Sequence, residues 1–416
     1  MAQDLLKALD NGSKNAMLKK RIINYFIYNG NSTISELSRA LDISIPTVTK
    51  LIEEMCDNGL LLTYGKLETN EGRHPHLYGL NPDSGYFVGV DINLGSVNIA
   101  LMNFNGEIVE HRINEKHKIS NSAEGLDTLC RVIDDFVNGL DVDRRHILIV
   151  SVNISGRVNP DAGYSYSWFN LGEEPVAQII SRRLGLEVVV DNDSRAMTYG
   201  EYLCGNISNK KNLLFVNLSW GLGLGIIIDG KTYSGNSGFA GEFGHYPCYD
   251  NEVICHCGKK GCLETEASGN AIHRKLVERV QRGESSILSK AIKEDPTKVT
   301  LNDIIDAINH EDVLCIDLLE EVGHNLGKHI AGLINIFNPE EVVIGGILSQ
   351  TGDYLVQPVR SSVRKHSLNL VNRDTVISVS RLKEKAGMIG ACMLARARLF
   401  DNCSAGRANR GVKCEA

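Results

Sequence analysis

The stretch from Gly244 to Glu264, GHYPCYDNEVICHCGKKGCLE, restricts the fold more than any other part of the chain. Cys255, Cys257 and Cys262 place three thiols within eight residues, and His245 lies ten residues before the first of them. Gly258 and Gly261 let the backbone turn back so that the sulfurs converge. Three thiolates and one imidazole make a closed tetrahedral zinc set with no position left for an activated water. The spacing therefore predicts a structural Zn2+ held by His245, Cys255, Cys257 and Cys262. His256 is the alternative to His245, but a side chain between Cys255 and Cys257 is expected to point away from both. Cys248 is a spare thiol. No C-x-x-C pair stands near a helix start, which argues against redox chemistry.

The other seven of the eleven cysteines are scattered singly, unlike a secreted disulfide framework. Residues 1–20 lack the basic-then-apolar pattern of a signal peptide, and no run reaches the length of a membrane span. The expectation is a cytoplasmic protein with no membrane partner. With 416 residues, 43% hydrophobic and 23% charged, two or three globular domains are expected. Net charge is −7; residues 1–82 carry nine Lys/Arg and nine Asp/Glu, so that segment is neutral and does not announce a nucleic-acid partner by charge.

Its pattern does. NAMLKKRIINYFIYNG spaces Leu18, Ile22, Ile23, Phe26 and Ile27 as a helix ending at Gly30. Thr33 followed by Glu36 is a capping box, with Ile34, Leu37 and Leu41 on one face. A third helix follows within about three residues, the short connection of a helix-turn-helix. There Ser44 is expected to cap, Pro46 fits the first turn, Val48, Leu51, Ile52 and Met55 face inward, and Gly59 stops the helix. LLLTYGKLETNEGRHPHLYGL then reads as a β-hairpin wing. Residues 1–82 are thus predicted to form a winged helix-turn-helix that binds double-stranded DNA. Thr47, Thr49 and Lys50 on the third helix suit base edges and phosphates, and Lys66, Arg73 and His74 on the wing suit the backbone. A packing or dimerisation module is the competing reading.

A polar Pro- and Gly-containing linker, residues 81–85, leads into an α/β body. YFVGVDINLGSVNIALMNFNGEIVEHR predicts three strands joined by tight turns, and NLLFVNLSWGLGLGIIIDGKTYSG repeats the design from residue 212. The repetition suggests a duplicated, two-lobed body. The first lobe is assigned to 86–202, completed by a helix at 384–400, and the second to 203–383, with a polar tail at 401–416.

LSWGLGLGIIIDGKTYSGNSGFAGEFGHYPC, continuing through CHCGKKGCLETEASG to residue 269, resembles the signature of the ROK family of sugar kinases and sugar-responsive repressors. The resemblance spans 86–400, and the winged helix in front is similar to the regulator branch, which includes the N-acetylglucosamine and xylose repressors. It implies an actin-like, hexokinase-like body with the family's His-Cys-Cys-Cys zinc site and a sugar in the interlobe cleft. Residue by residue, it places sugar contacts at Asn192 and Asp193, at Glu242 and His245, and at Glu264. Zinc would fix His245 and, through Cys262, hold Glu264. In the family's kinases the residue matching Asp193 is the general base. The phosphate-binding turns depart from the kinase pattern. Asn93, Leu94 and Gly95 stand in place of Gly, Gly and Thr, although Ser96 is adjacent. Trp220 replaces a threonine, and Ile347 a glycine. These departures weaken nucleotide binding, leaving Asp193 as a vestigial base. The expectation is a sugar- or sugar-phosphate-responsive repressor, dimeric or tetrameric because one winged helix covers one half-site. The alternatives are an ATP-dependent sugar kinase with an accessory DNA-binding domain, and a regulator that has lost its ligand.

Overall fold

The structure, a computed structural model, describes residues 13–67, 74–117, 119–205, 207 and 209–400. Helix α1 (Lys14–Asn29) begins where the Ser13 hydroxyl accepts the Ala16 N–H, and it ends at Gly30, whose φ is +72°. Strand β1 (Ser32–Thr33) runs into α2 (Ile34–Leu41), and the predicted capping box is present: Thr33 Oγ1 accepts the Glu36 N–H and Glu36 Oε2 accepts the Thr33 N–H. Helix α3 (Ile45–Asp57) has Pro46 in its first turn and buries Val48, Leu51, Ile52 and Met55. Ser44 precedes it but accepts no backbone N–H; its hydroxyl lies 2.8 Å from that of Thr47 instead. Strands β2 (Leu61–Lys66) and β3 (His76–Leu80) form the wing, and β1 pairs with β3 to give the sheet order β1-β3-β2.

The expected linker is not loose. Residues 82–84 form a 3-10 turn with Ser84 buried. The Asn81 amide donates to the Gly59 carbonyl at 2.7 Å while its oxygen accepts the Asp83 N–H at 3.1 Å. An Asx turn supplies locally the hydrogen bonds that a flexible linker would leave to water. The Phe104 N–H, in the body, donates to the Pro82 carbonyl at 3.1 Å.

The body contains β4 (Tyr86–Asn93), β5 (Ser96–Asn103), β6 (Ile108–Glu115), α4 (Ala123–Asn138), β7 (Ile147–Ile154), the short ribbon β8 (Val158–Asn159) and β9 (Tyr164–Ser165), α5 (Val176–Leu184), β10 (Val188–Asn192) and α6 (Asp193–Cys204). After these come β11 (Leu213–Leu218), β12 (Leu222–Ile228), β13 (Lys231–Thr232), α7 (Gly269–Gln281), α8 (Ser289–Glu294), α9 (Leu301–Asn309), α10 (Val313–Phe337), β14 (Glu341–Gly345), α11 (Asp353–His366), α12 (Asn369–Asp374), β15 (Val376–Val379) and α13 (Ala386–Phe400). The two larger sheets have one plan. In the first the order is β10-β7-β4-β5-β6, and in the second it is β15-β14-β11-β12-β13. Each has three parallel strands, then an antiparallel pair supplied by the hairpin that opens it. The duplication read from the two hairpin openings is real at the level of strand order.

The chain divides into two compact units, with breaks between Asn209 and Lys210 and between Ala386 and Gly387. The winged helix, the first sheet and α13 belong to one unit. On one face of that sheet Val88, Val90, Val150, Val152 and Val190 pack with α4 and α5. The other face carries Gly89, Asp91, Ser151 and Asn153, because strand side chains alternate, and it meets α13 at close range. A Cβ on Gly89 would lie 2.2 Å from the Met388 carbonyl oxygen, and one on Gly390 1.9 Å from that of Ala196 in α6. The second unit is built on Leu214, Val216, Leu218, Val342 and Ile344, packed with α7, α9, α10 and α11.

Candidate functional site

In the second unit the loop between β13 and α7 folds as its glycines require. Gly258 and Gly261 have φ of +83° and +76°, and a Cβ on Gly261 would lie 2.2 Å from the Tyr249 carbonyl oxygen. The Gly258 N–H donates to the Cys255 carbonyl and the Cys248 N–H to the Gly261 carbonyl, each at 2.8 Å. His245, Cys255, Cys257 and Cys262 thereby bring one ligand atom each within 4.8 Å of the others. Cys257 Sγ lies 3.6 Å from Cys262 Sγ, and Cys255 Sγ lies 3.6 Å from His245 Nδ1. A tetrahedral zinc with ordinary bond lengths requires about 3.8 Å between sulfurs and about 3.6 Å between sulfur and nitrogen. The donor set therefore fits the ion. Without a metal, burial pushes the Cys255 thiol well up.

His256 departs from expectation. It turns back toward the cluster, with Nδ1 3.8 Å from Cys255 Sγ and 2.8 Å from Glu264 Oε1. Buried Glu264 supplies the attraction. The 2.8 Å separation is a hydrogen bond; two ligand atoms on one tetrahedral zinc would stand about 3.4 Å apart. Cys248 is not in the cluster.

Glu264 follows Cys262 in a 3-10 turn and is 8% exposed. Its Oε2 accepts the Leu222 N–H at 2.9 Å. Burial alone would raise its carboxyl; the His256 imidazole and the Leu222 N–H outweigh burial and hold it below its ordinary value. Glu242 is exposed, with Oε2 3.7 Å from His245 Nε2, the nitrogen facing away from the thiols. His245 thus presents Nδ1 to the metal position and Nε2 to Glu242.

In the first unit, Asn192 caps α6. Its Oδ1 accepts the Arg195 N–H at 3.0 Å, and its Nδ2 donates to the Gly156 carbonyl at 2.9 Å. Asp193 opens the helix, and Ser155 Oγ donates to its Oδ2 at 2.7 Å. Arg195 Nε donates to half-buried Asp191 at 2.5 Å, bracing the first turn against β10. Asp91, 5% exposed, accepts from Asn153 Nδ2 at 3.1 Å and from Asn93 Nδ2 at 3.2 Å. Burial pushes its carboxyl up to about 6. Ser155 and Asn153 escaped the sequence reading because nothing in their spacing separates them from ordinary strand residues.

The turns carrying Leu94, Trp220 and Ile347 differ in their surroundings. Leu94 stands 74% exposed at the β4–β5 turn. Trp220 packs on the second unit's core with its ring 5.5 Å from that of His273. Ser219 Oγ donates to Asn217 Oδ1 at 2.8 Å and accepts the Ile347 N–H at 3.3 Å, tying the Trp220 turn to the Ile347 turn.

On the winged helix, Lys50 is exposed, while Thr47 and Thr49 are half-buried. Both hydroxyls have partners, Thr47 with Ser44 and Thr49 donating to the Ile45 carbonyl at 2.9 Å. Ile45, 54% exposed beside them, was not singled out by sequence; an apolar residue there suits a thymine methyl. Lys66 is exposed at the end of β2, and His74 Nδ1 lies 3.3 Å from the Leu67 carbonyl oxygen. Arg73 lies outside the described residues. Lys19 of α1 pairs with Glu54 of α3 at 2.5 Å. Among the described residues no helix is long and apolar enough to cross a membrane.

These features define a DNA-binding winged helix joined to a body of two like α/β sheets, one unit carrying a loop of one histidine and three cysteines poised to hold a metal. A profile described as winged helix-turn-helix DNA-binding matches residues 18–61. The ROK family profile matches residues 87–398, and the chain belongs to the ROK family. It is similar to the xylose repressor of Caldicellulosiruptor bescii, 29% identical over 86% of this chain and 89% of that protein. It is also similar to the glucokinase of Halalkalibacterium halodurans, 30% identical over 75% of this chain and 95% of that one. A solved ROK family transcriptional regulator, described as a homologue of the Escherichia coli MLC protein, superposes with a TM-score of 0.77 at 29% identity, covering 92% of this chain and 96% of that one.

Proposed function

We propose that the protein is a sugar-responsive DNA-binding transcriptional regulator, a repressor of carbohydrate-utilisation genes. The observation that carries this reading is the joining of a winged helix to a ROK body in one chain, with repressor similarity running through both. The third helix lies in the major groove with Ile45, Thr47 and Thr49 toward base edges and Lys50 toward a phosphate, and the wing's Lys66, Arg73 and His74 meet further phosphates. One winged helix covers one half-site, so the working form is a homodimer or homotetramer.

The effector is a sugar or sugar phosphate. Asn192, Asp193, Glu242, His245 and Glu264 supply carboxylates, an amide and an imidazole for hydroxyls that both donate and accept. Glu264 retains lone pairs after its bonds to Leu222 and His256. His245, Cys255, Cys257 and Cys262 hold a structural Zn2+. Bound there, the ion fixes the orientation of His245 and leaves Nε2 turned toward Glu242. Effector binding alters operator affinity to the extent that it favours one conformation over the other.

The protein is not an active kinase on this reading: Leu94, Trp220 and Ile347 occupy turns that would approach phosphates and adenosine. The Ser155–Asp193 hydrogen bond and the similarity to glucokinases support the second reading, a kinase with Asp193 as base. Anisotropy titrations of a duplex from upstream of the protein's own gene, with D-xylose, D-glucose and their phosphates, test the first reading. Release of the duplex by one sugar is expected; tight binding indifferent to every sugar contradicts it. ATP-dependent phosphorylation of a hexose, abolished by Asp193→Asn, would establish the second.

A further inference from the structure

Helix α1 of the winged helix has two sets of partners within the first unit. Toward DNA, Lys19 pairs with Glu54 of α3 and Arg21 donates to the Leu41 carbonyl of α2 at 2.6 Å. Toward the body, Asn24 Nδ2 donates to the Phe400 carbonyl of α13 at 2.8 Å, and the Tyr28 and Tyr199 hydroxyls lie 3.5 Å apart, Tyr199 belonging to α6. So α1 rests on the C-terminal halves of α6 and α13. The opposite ends of the same two helices carry the polar cluster. Asn192 and Asp193 open α6. At the start of α13, the Gly387 carbonyl accepts from Asn153 Nδ2 at 2.9 Å, and a Cβ on Gly387 would stand 2.2 Å from the Asp91 carboxyl carbon.

The two helices are locked to each other and to the sheet by backbone contact at Gly390 and Gly89, where no side chain intervenes to absorb a displacement. The seam with α1 is packed differently. A cavity of about 10 Å3 lies there, lined by residues including Ile27, Leu203, Met393 and Ala397. It is near the smallest volume that holds one water. Asn24 Oδ1 is buried at this seam with no hydrogen-bond partner among the described residues. Phe400, by contrast, is anchored edge-on against Phe104 at 5.6 Å.

We infer that α6 and α13 form a rigid pair that passes effector occupancy at Asn192 and Asp193 to the recognition helix, and that the α1 seam, not the interior of the body, is the surface that repacks. This rests on the sensor reading above. A shift of the pair's N-terminal ends is delivered about 18–22 Å away, the length of 12 to 15 helical residues. There α1 has a void and an unpaired carbonyl to exchange for a second packing arrangement. From α1 the Lys19–Glu54 pair reaches α3 directly.

The test uses full-length Asn24→Ala and Tyr199→Phe beside the wild type. Neither residue belongs to the sugar or DNA contacts, and Tyr199→Phe keeps the ring should the first variant fold poorly. With D-xylose and D-glucose as probes, the wild type's affinity for the upstream duplex is expected to change about tenfold or more with the sugar that binds. In the seam variants that ratio falls to within about twofold of unity, while the calorimetric sugar affinity without DNA stays within about threefold of the wild type. Seam variants that respond like the wild type overturn the relay. If calorimetry finds that neither sugar binds the wild type, the sensor reading fails on its own, and hydrogen exchange on adding duplex decides the relay. Altered exchange of amides 193–198 and 387–392 in the wild type, lost in the variants, supports it; wild-type exchange unchanged there overturns it.

Discussion

Asp91 is a carboxyl whose burial has a measurable consequence. It is 5% exposed on the sheet face beneath α13, with the Asn153 and Asn93 amides as its hydrogen-bond donors. Burial raises it, the Asn153 hydrogen bond offsets part of the rise, the nearby Asp193 charge adds to it, and the result is about 6 against an ordinary 3.8. Below pH 3.8 both folded and unfolded chains hold this proton. Between the two values the folded chain keeps it while the unfolded chain has lost it. Above about 6 both are ionised and the fold carries a buried charge. Stability from this group is thus fully present at low pH and lost as pH rises through about 6. A displacement of about 2 units corresponds to about 3 kcal/mol. Asp91→Asn removes the titration. Denaturation of the wild type and Asp91→Asn from about pH 4 to 7.5 should show the wild type losing about 3 kcal/mol relative to the variant, a shift of roughly 6–12 °C in melting temperature for a unit of this size. Both proteins should carry Trp220→Phe, so that of the chain's two tryptophans Trp168 alone reports, from the first unit. The metal loop is common to both chains, so its own pH dependence cancels in the difference. A gap between the two that stays constant with pH would refute the reasoning.

Cys257→Ser is expected to abolish bound metal and lower the melting temperature of the second unit, whereas His256→Ala should keep one equivalent of metal; elemental analysis reading the reverse would assign the ion to Cys255, His256 and Glu264, a second group of donors close to one another. Gly390→Ala, whose Cβ would stand 1.9 Å from the Ala196 carbonyl oxygen, should destabilise the first unit by about 1–3 kcal/mol, and an unchanged urea midpoint contradicts that packing. Lys50→Ala should weaken DNA binding about evenly across sequences and reduce the salt slope by about 1; a change confined to base preference would mean that Lys50 reads a base instead of a phosphate.

The parts of this fold that were legible are those where local chemistry and tertiary structure demand the same residue. Thr33 and Glu36 announce a helix start because the capping box is satisfied within four residues of chain, and Gly258 and Gly261 announce the loop because φ of +83° and +76° suits little else. The repeated hairpins gave away the duplicated sheet for the same reason, since each turn is closed locally. The misreadings arose where a partner distant in sequence, or a competing neighbour, claimed a group that local rules had assigned elsewhere. Ser44 has the sequence of a cap, but Thr47 took its hydroxyl. Between two cysteines His256 would be expected to point away from both, yet it lies in a turn and the buried Glu264 carboxylate draws it back. Residues 81–85 have the composition of a linker, but the Asn81 amide finds the Gly59 carbonyl and the Phe104 N–H finds Pro82. Ser155 and Asn153 carried no signal at all, because their importance lies in facing Asp193 and Asp91 across strands that are far apart in the chain. A polar residue at a strand end is ambiguous in one dimension and becomes informative only when the sheet order β10-β7-β4 sets Asp191, Asn153 and Asp91 side by side. The thiol loop could be read from sequence because all four of its candidate donors lie within eighteen residues. The proposed sugar contacts could not, because Asn192 and Asp193 lie more than forty residues before Glu242, His245 and Glu264 in the chain, and only resemblance to a family brought them onto one list.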